Sequence, residues 1–349
     1  MEIELGISSF GETTLIEGEN KPLEHHKRIQ NMMEEVQLAD KLGVDVYAIG
    51  EHHRKDFAVS APEIVLAAAA ATTKNIKLSS AVTVISSIDP IRVYQQFSTI
   101  DAISNGRAEI MVGRGSFTES FPLFGYKLEN YAKLFDEKLE MFKKINDNEI
   151  LNWQGKFTHS VTNTGIYPRV ANNKKLPIWI ATGGTEESTY KIAKQGHFIN
   201  YAIIWGNWNK WSDLISTYKK VALESGHKKE NIKVATHSWG FIAETDKEAQ
   251  DKYFIPTKIL VDQLATEREK WRPLTYEGYL NGLGDKKPFF VGSPKTVAKK
   301  IIDFIEDLQI DRFLLHLPIG SLKHQDILKA IRLYATEVIP VVKNYFKNK

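Results

Sequence analysis

Short runs of consecutive apolar residues alternate along this chain with longer segments in which apolar residues recur every three or four positions. The first pair sets the pattern. Ile3–Phe10 is rich in β-forming residues, and His25–Leu42 then carries Ile29, Met32, Met33, Val36 and Ala39 at helical spacing. Gly43 ends that helix, and Val44–Gly50 is a second apolar strand. Ala61–Thr73 predicts an Ala-rich helix entered through Ser60 as N-cap, with Pro62 in its first turn. Ile76–Ser87 returns to β-branched residues, Pro90–Ile103 is helical, Arg107–Gly113 is a fourth strand and Tyr131–Ile145 a fourth helix. Further strands are expected at Pro177–Thr182, Phe198–Ile204, Lys233–Ala243 and Arg312–Leu317. Further helices are expected at Thr185–Gln195, Lys210–Glu224, Asp246–Ala265, Pro294–Leu308 and His324–Tyr345.

Strands that alternate with helices predict a parallel sheet joined by crossovers. Eight such units in 349 residues favour a closed (β/α)8 barrel over an open doubly wound sheet. Two stretches break the rhythm, 147–176 and 266–292, and both read as insertions on one barrel domain spanning 1–349. The second, with Gly278, Gly282 and Gly284, reads either as a lid over the barrel mouth or as a surface loop.

Composition narrows the function. Lys and Arg number 46 against 43 Asp and Glu, and the charges are dispersed, so the concentrated basic face that a nucleic acid requires is absent. There is no cysteine, which removes disulfides, thiolate nucleophiles and iron–sulfur clusters together. The first residues carry neither a basic start nor an apolar run, and Ile64–Ala71 is far too short to span a bilayer, so a cytoplasmic protein is expected.

In a barrel of this kind the site lies at the C-terminal ends of the strands. Polar residues and glycines gather there. Thr182-Gly183-Gly184-Thr185 leads a strand into a helix with Thr185 as N-cap. Its glycines and exposed N–H groups read either as a phosphate anchor or as a tight strand-to-helix turn. Gly113-Arg114-Gly115 places a guanidinium at another strand end, to meet an anion or a flat ring, or to pair with Glu119. Glu51-His52-His53 offers acid–base groups, a hydrogen-bonded structural pair, or a metal site if His237 or His316 supplied a third ligand. We expect no metal. No Gly-x-Ser-x-Gly elbow is present, and the strand ends hold too few carboxylates for two-acid glycoside chemistry. Trp205, Trp208 and Trp211 could wall a pocket or cap the barrel. His25, His26, His159, His227 and His324 read as solvated surface.

These pieces, taken in order, resemble the bacterial luciferase-like family of flavin-dependent monooxygenases and their F420-dependent relatives. They are Gly50-Glu51-His52-His53, Leu78–Val84, Asp89-Pro90-Ile91-Arg92, Ser104–Arg107 leading to Gly113-Arg114-Gly115, and Ala181-Thr182-Gly183-Gly184. The resemblance implies a (β/α)8 barrel, usually a homodimer, holding FMN in its mouth. Reduced FMN would come from a separate reductase and react with O2 to a C4a-(hydro)peroxyflavin that oxidises an aldehyde or other small organic substrate. His52 matches the family's active-site acid–base, with Glu51 and His53 beside it. Arg114 matches the phosphate-binding arginine, while Thr182, Gly183, Gly184 and Thr185 match the phosphate loop. Ala81-Val82 falls where the family often has a non-proline cis peptide under the flavin ring. Gly113 replaces luciferase's reactive cysteine, so light emission is not implied. The alternatives are an F420-dependent hydride transferase on the same barrel and a non-catalytic FMN-binding protein.

Overall fold

The computed structural model describes residues 2–15, 21–115, 117–171, 174–320 and 322–349. Its elements run β1 (Glu4–Ser9), α1 (His25–Lys41), β2 (Val46–Ile49), α2 (Pro62–Thr72), β3 (Lys77–Ser80), β4 (Thr83–Val84), α3 (Pro90–Ser104) and β5 (Ala108–Gly113). A short α4 (Ser120–Leu123) and α5 (Tyr131–Asp147) follow, then a hairpin of β6 (Ile150–Trp153) and β7 (Val161–Gly165), β8 (Ile178–Thr182), α6 (Glu186–Gln195), β9 (Phe198–Ala202) and α7 (Ser212–Glu224). The chain continues through β10 (Val234–Ile242), α8 (Asp246–Glu267), α9 (Tyr276–Leu283), β11 (Phe290–Gly292), α10 (Pro294–Leu308), β12 (Arg312–His316), α11 (His324–Leu333) and α12 (Ile339–Lys347).

Eight parallel strands close on themselves in the order β1-β2-β3-β5-β8-β9-β10-β12, with β12 returning to β1. The expected (β/α)8 barrel is therefore present. Prolines open α2, α3 and α10, where the missing N–H costs nothing. Amphipathic stripes such as Val297, Ile301, Phe304 and Leu308 on α10 pack the helices onto the barrel.

Several local expectations are corrected. The single strand expected over Ile76–Ser87 is two, β3 and β4, divided at Ala81–Val82, whose peptide bond is cis, and Ile85–Ser87 is a 3-10 turn. Ala61 rather than Ser60 occupies the N-cap of α2, without a side-chain cap. The terminal helix is broken by a π-turn at Tyr334–Val338. The stretch 147–176 holds the antiparallel β6–β7 hairpin, and 266–292 contributes α9 and a strand, β11, that pairs with the outer half of β10. His324 is not bare surface, because it bonds Glu34 and sits against Glu35.

One end of the barrel is sealed. Arg312, 1% exposed, donates to Glu109 at 2.6 Å and to Glu4, and its Cζ lies 4.3 Å over the ring of Trp179. Val46, Ala48, Met111, Ala235 and Leu314 pack above it inside the barrel. At Gly6 a Cβ would come within 2.7 Å of Leu314, so only glycine fits that layer. Beyond it the interior opens at the strands' C-terminal ends. Among the described residues no helix is long and apolar enough to cross a membrane.

Candidate functional site

The open end of the barrel holds a cavity of about 630 Å3. Nearly every strand end contributes to its wall, including Ser8 and Phe10 from β1, Glu51–His53 after β2, Ala81 and Val82 between β3 and β4, Gly113–Gly115 after β5 and Ala181–Gly183 at β8.

His52 presents its ring to the cavity between Phe57, stacked at 4.2 Å, Phe10 at 5.1 Å and the edge of Phe117 at 5.1 Å. This desolvating cage, together with nearby His316, pushes its pKa down to about 3, so the ring is neutral across the physiological range. Glu51 and His53 are placed differently. Glu51 accepts the Nε2–H of His53 at 2.8 Å on one oxygen and the backbone N–H of Val84 at 2.7 Å on the other, so both carboxylate oxygens are committed and the end of β2 is tied to the segment after the Ala81–Val82 bond. Of the three acid–base residues expected from sequence, His52 alone keeps its side chain clear of another described residue's hydrogen bond.

Arg114 is exposed at the rim, its Cζ 5.7 Å over Tyr131, whose hydroxyl donates to the Gly115 carbonyl at 2.6 Å. The pairing with Glu119 weighed from sequence does not form. Glu119 instead accepts from Arg54 at 3.1 Å, which also holds Asp56 and Glu267 and so ties the β2 end to the close of α8. Next to the rim, Thr182 and Gly183 line the cavity. The Thr182 hydroxyl accepts the Gly184 N–H at 3.2 Å, and Thr185 caps α6 by accepting the Ser188 N–H at 3.2 Å. Gly184 lies behind the wall with φ +83°, and a Cβ there would reach 2.1 Å from Trp211. Its glycine is therefore required twice over, by backbone conformation and by the indole packed on it. What this turn offers a ligand is backbone N–H groups at the start of a ten-residue helix, beside two exposed acids, Glu186 and Glu187.

The residues suit a ligand with an anionic tail and a flat head. Gly113 leaves space that a Cβ would fill, 2.8 Å from Val82, so the wall beneath that position is backbone and methyl groups. Three polar atoms in the lining, Glu12 Oε2, Ser120 Oγ and Asn200 Oδ1, are buried without a partner among the described residues. No periodic pattern marks them, and Asn200 sits in a strand whose readable signal is its apolar neighbours.

Across from Arg114, Trp205, Trp239 and Trp271 face one another at centroid distances of 5.6–6.4 Å and border the cavity with Leu260 and Leu264 of α8. Trp271 belongs to the 266–292 insertion, whose beginning therefore walls the cavity. Trp211 also lines it, while Trp208 is buried against Phe290 and Phe304, outside the site. His237 and His316 lie in the wall with ring centroids 5.9 Å apart. Among the described residues no three histidine or acidic groups stand close enough to hold a metal ion.

Residues 7–312 match the family model described as luciferase-like monooxygenase. The alkanal monooxygenase alpha chain of the Kryptophanaron alfredi symbiont is 21% identical over 92% of this chain and 95% of its own length. Among solved structures, the monooxygenase RslO1 of Streptomyces bottropensis superposes with a TM-score of 0.85 at 22% identity, covering 97% of this chain and 99% of that one. The oxygenating constituent of Pseudomonas putida 3,6-diketocamphane monooxygenase, solved with FMN, gives 0.74 at 20% identity over 97% and 99%. The F420-dependent tetrahydromethanopterin reductase of Methanopyrus kandleri gives 0.73 at 19% over the same shares. The chain belongs to the luciferase-like monooxygenase family, a group of monooxygenases and related oxidoreductases built on this barrel.

Proposed function

We propose that this protein is the oxygenase component of a two-component flavin system, which takes reduced FMN from a separate reductase and uses O2 to oxidise a small organic substrate. The observation that carries the reading is a single cavity with a guanidinium and a glycine–helix turn at one end and an indole-walled recess at the other. That shape accommodates a phosphate-bearing flavin and an apolar substrate side by side.

In this reading Arg114 and the backbone N–H groups of Gly183 and of Thr185 to Glu187, at the start of α6, hold the phosphate, the Gly184 N–H being donated to Thr182. Ala81, Val82 and Gly113 form the surface against which the flat ring lies. Glu51, bonded to His53 and Val84, is a positioning residue that fixes that surface. When bound, reduced flavin supplies the electrons that activate O2. His52, held neutral by its aromatic cage, donates a hydrogen bond from one ring nitrogen and accepts at the other, and passes a proton without storing it. Trp205, Trp239 and Trp271 keep water from the reacting centre. The Ala-rich α2, with Ile64 exposed, offers a face for a homodimer, and a cytoplasmic location follows from sharing a compartment with the reductase.

Anaerobic titration with FMNH2 and, separately, with reduced F420 tests the cofactor. We expect micromolar or tighter binding of FMNH2 and at least tenfold weaker binding of F420. The reverse order would replace oxygen transfer by hydride transfer on the same barrel.

A further inference from the structure

The two ends of the cavity differ in charge logic. Away from Arg114 the lining carries few charges beside its tryptophans, and one of them is an acid. Glu12 is 2% exposed and follows β1 into the cavity wall. Its Oε1 accepts the Nε2–H of His316 at 2.8 Å, and Nδ1 of that ring meets the Ser8 hydroxyl at 3.2 Å. His316 pairs in register with Trp239 of the indole wall, and both side chains line the same cavity as Glu12. Glu12 Oε2 is buried with no hydrogen-bond partner among the described residues. The other carboxylates in the lining are committed, Glu51 to His53 and Val84, and Glu119 to Arg54.

A buried carboxylate oxygen without a donor is costly, and a ligand that brings the donor recovers that cost. With the Phe10 ring 4.2 Å from that of His316 and Trp239 one strand over, the donor best suited to the place carries positive charge, because aromatic faces attract cations. We propose that Glu12 Oε2 is the polar anchor for the organic substrate, and that the substrate is an apolar molecule bearing a protonated amine or other N–H donor rather than an apolar anion. This rests on the reading above, in which flavin fills the Arg114 end and leaves the indole end to the substrate. Arg268 at the rim, its Cζ 5.6 Å from the Trp271 ring, is the group that would select the opposite charge. Glu12 also borders a second cavity of about 290 Å3 with Arg28 and His324, which contains no tryptophan.

The test titrates the flavin-free protein with hexylamine, 1-hexanol and hexanoate at neutral pH, following tryptophan emission and heat of binding. We expect hexylammonium to bind about tenfold or more tightly than hexanoate, with hexanol between them. Glu12→Gln should shrink the hexylammonium-to-hexanoate ratio about fivefold or more while leaving hexanol within about threefold. Hexanoate binding as tightly as hexylammonium, or a ratio unchanged in Glu12→Gln, overturns the proposal. Heat without any change in tryptophan emission places the probe in the second cavity and overturns it equally. Should Glu12→Gln fail to fold, the wild-type order decides alone. Because flavin is absent from these titrations, a parallel FMN titration decides the flavin reading separately.

Discussion

Removing the Arg114 guanidinium tests the anionic end of the cavity in a way that can be worked from the geometry. The group stands at the rim, exposed, stacked loosely on Tyr131, with no described acid accepting from it. Its loss in Arg114→Ala leaves no buried charge behind, so the effect on the fold is small. A charge-assisted hydrogen bond to a phosphate contributes about 1.5–3 kcal/mol, and the exposure of this site favours the lower half. That corresponds to a loss of roughly 10- to 150-fold in affinity. The assay is quenching of flavin fluorescence, performed with FMN and with riboflavin, which lacks the phosphate. Arg114→Ala should weaken FMN by that factor and leave riboflavin within about threefold, so that the two flavins converge. An equal loss for both would mean that Arg114 acts on the ring or on the fold. No loss for either would place the phosphate elsewhere and undo the assignment of this end of the cavity.

The remaining expectations concern proton, charge and fold. His52→Ala should keep FMN affinity within about threefold and lower substrate-coupled O2 consumption by about 100-fold or more, read with an oxygen electrode and a supplied reductase; full activity would remove His52 from the chemistry. Burial holds His52 and His237 neutral, each down to a pKa of about 3. The unfolded chain protonates both below its ordinary value near 6.5 while the folded chain does not. Stability is therefore complete above that pH and lost as pH falls towards 3, by up to about 2 kcal/mol per ring at pH 5. Urea melts at pH 7.5 and 5 should show the loss, and His237→Gln should reduce it; an unchanged difference would contradict the neutral assignment. Arg312→Met, at the sealed end, leaves Glu109 and Glu4 to Lys77 and Trp179 and should cost about 3 kcal/mol in a urea melt while leaving FMN affinity intact. A cost under 1 kcal/mol would show that the network contributes little.

The barrel was legible because its signal repeats. Each strand is a short apolar run and each helix an apolar stripe, so eight imperfect readings reinforce one another. The errors fall where backbone pairing is decided at a distance. β11 is three residues long, and nothing local distinguishes it from a loop until β10 supplies a partner. The β3–β4 break likewise has no periodic signature. At the site, Arg114, Gly183 and His52 were readable as polar or glycine residues at strand ends, and the structure brings them to one cavity. Gly184 and Thr185 also serve the turn's own packing and capping, a role that sequence spacing does not separate from ligand contact. Glu12 was invisible for another reason. It lies three residues beyond β1 in a polar stretch, and only closure of the barrel through β12 sets His316 against it.

What this cavity does to the reaction of reduced flavin with oxygen decides whether the chain is an oxygenase. Protein equilibrated anaerobically with FMNH2 is mixed with oxygenated buffer, and flavin absorbance is followed through reoxidation. Oxygen transfer within a water-excluding site predicts reoxidation in more than one phase, with oxidised flavin returning markedly more slowly than from FMNH2 alone. Reoxidation in a single phase at the rate of free FMNH2, under conditions where binding is saturated, would contradict an oxygenase role for this chain.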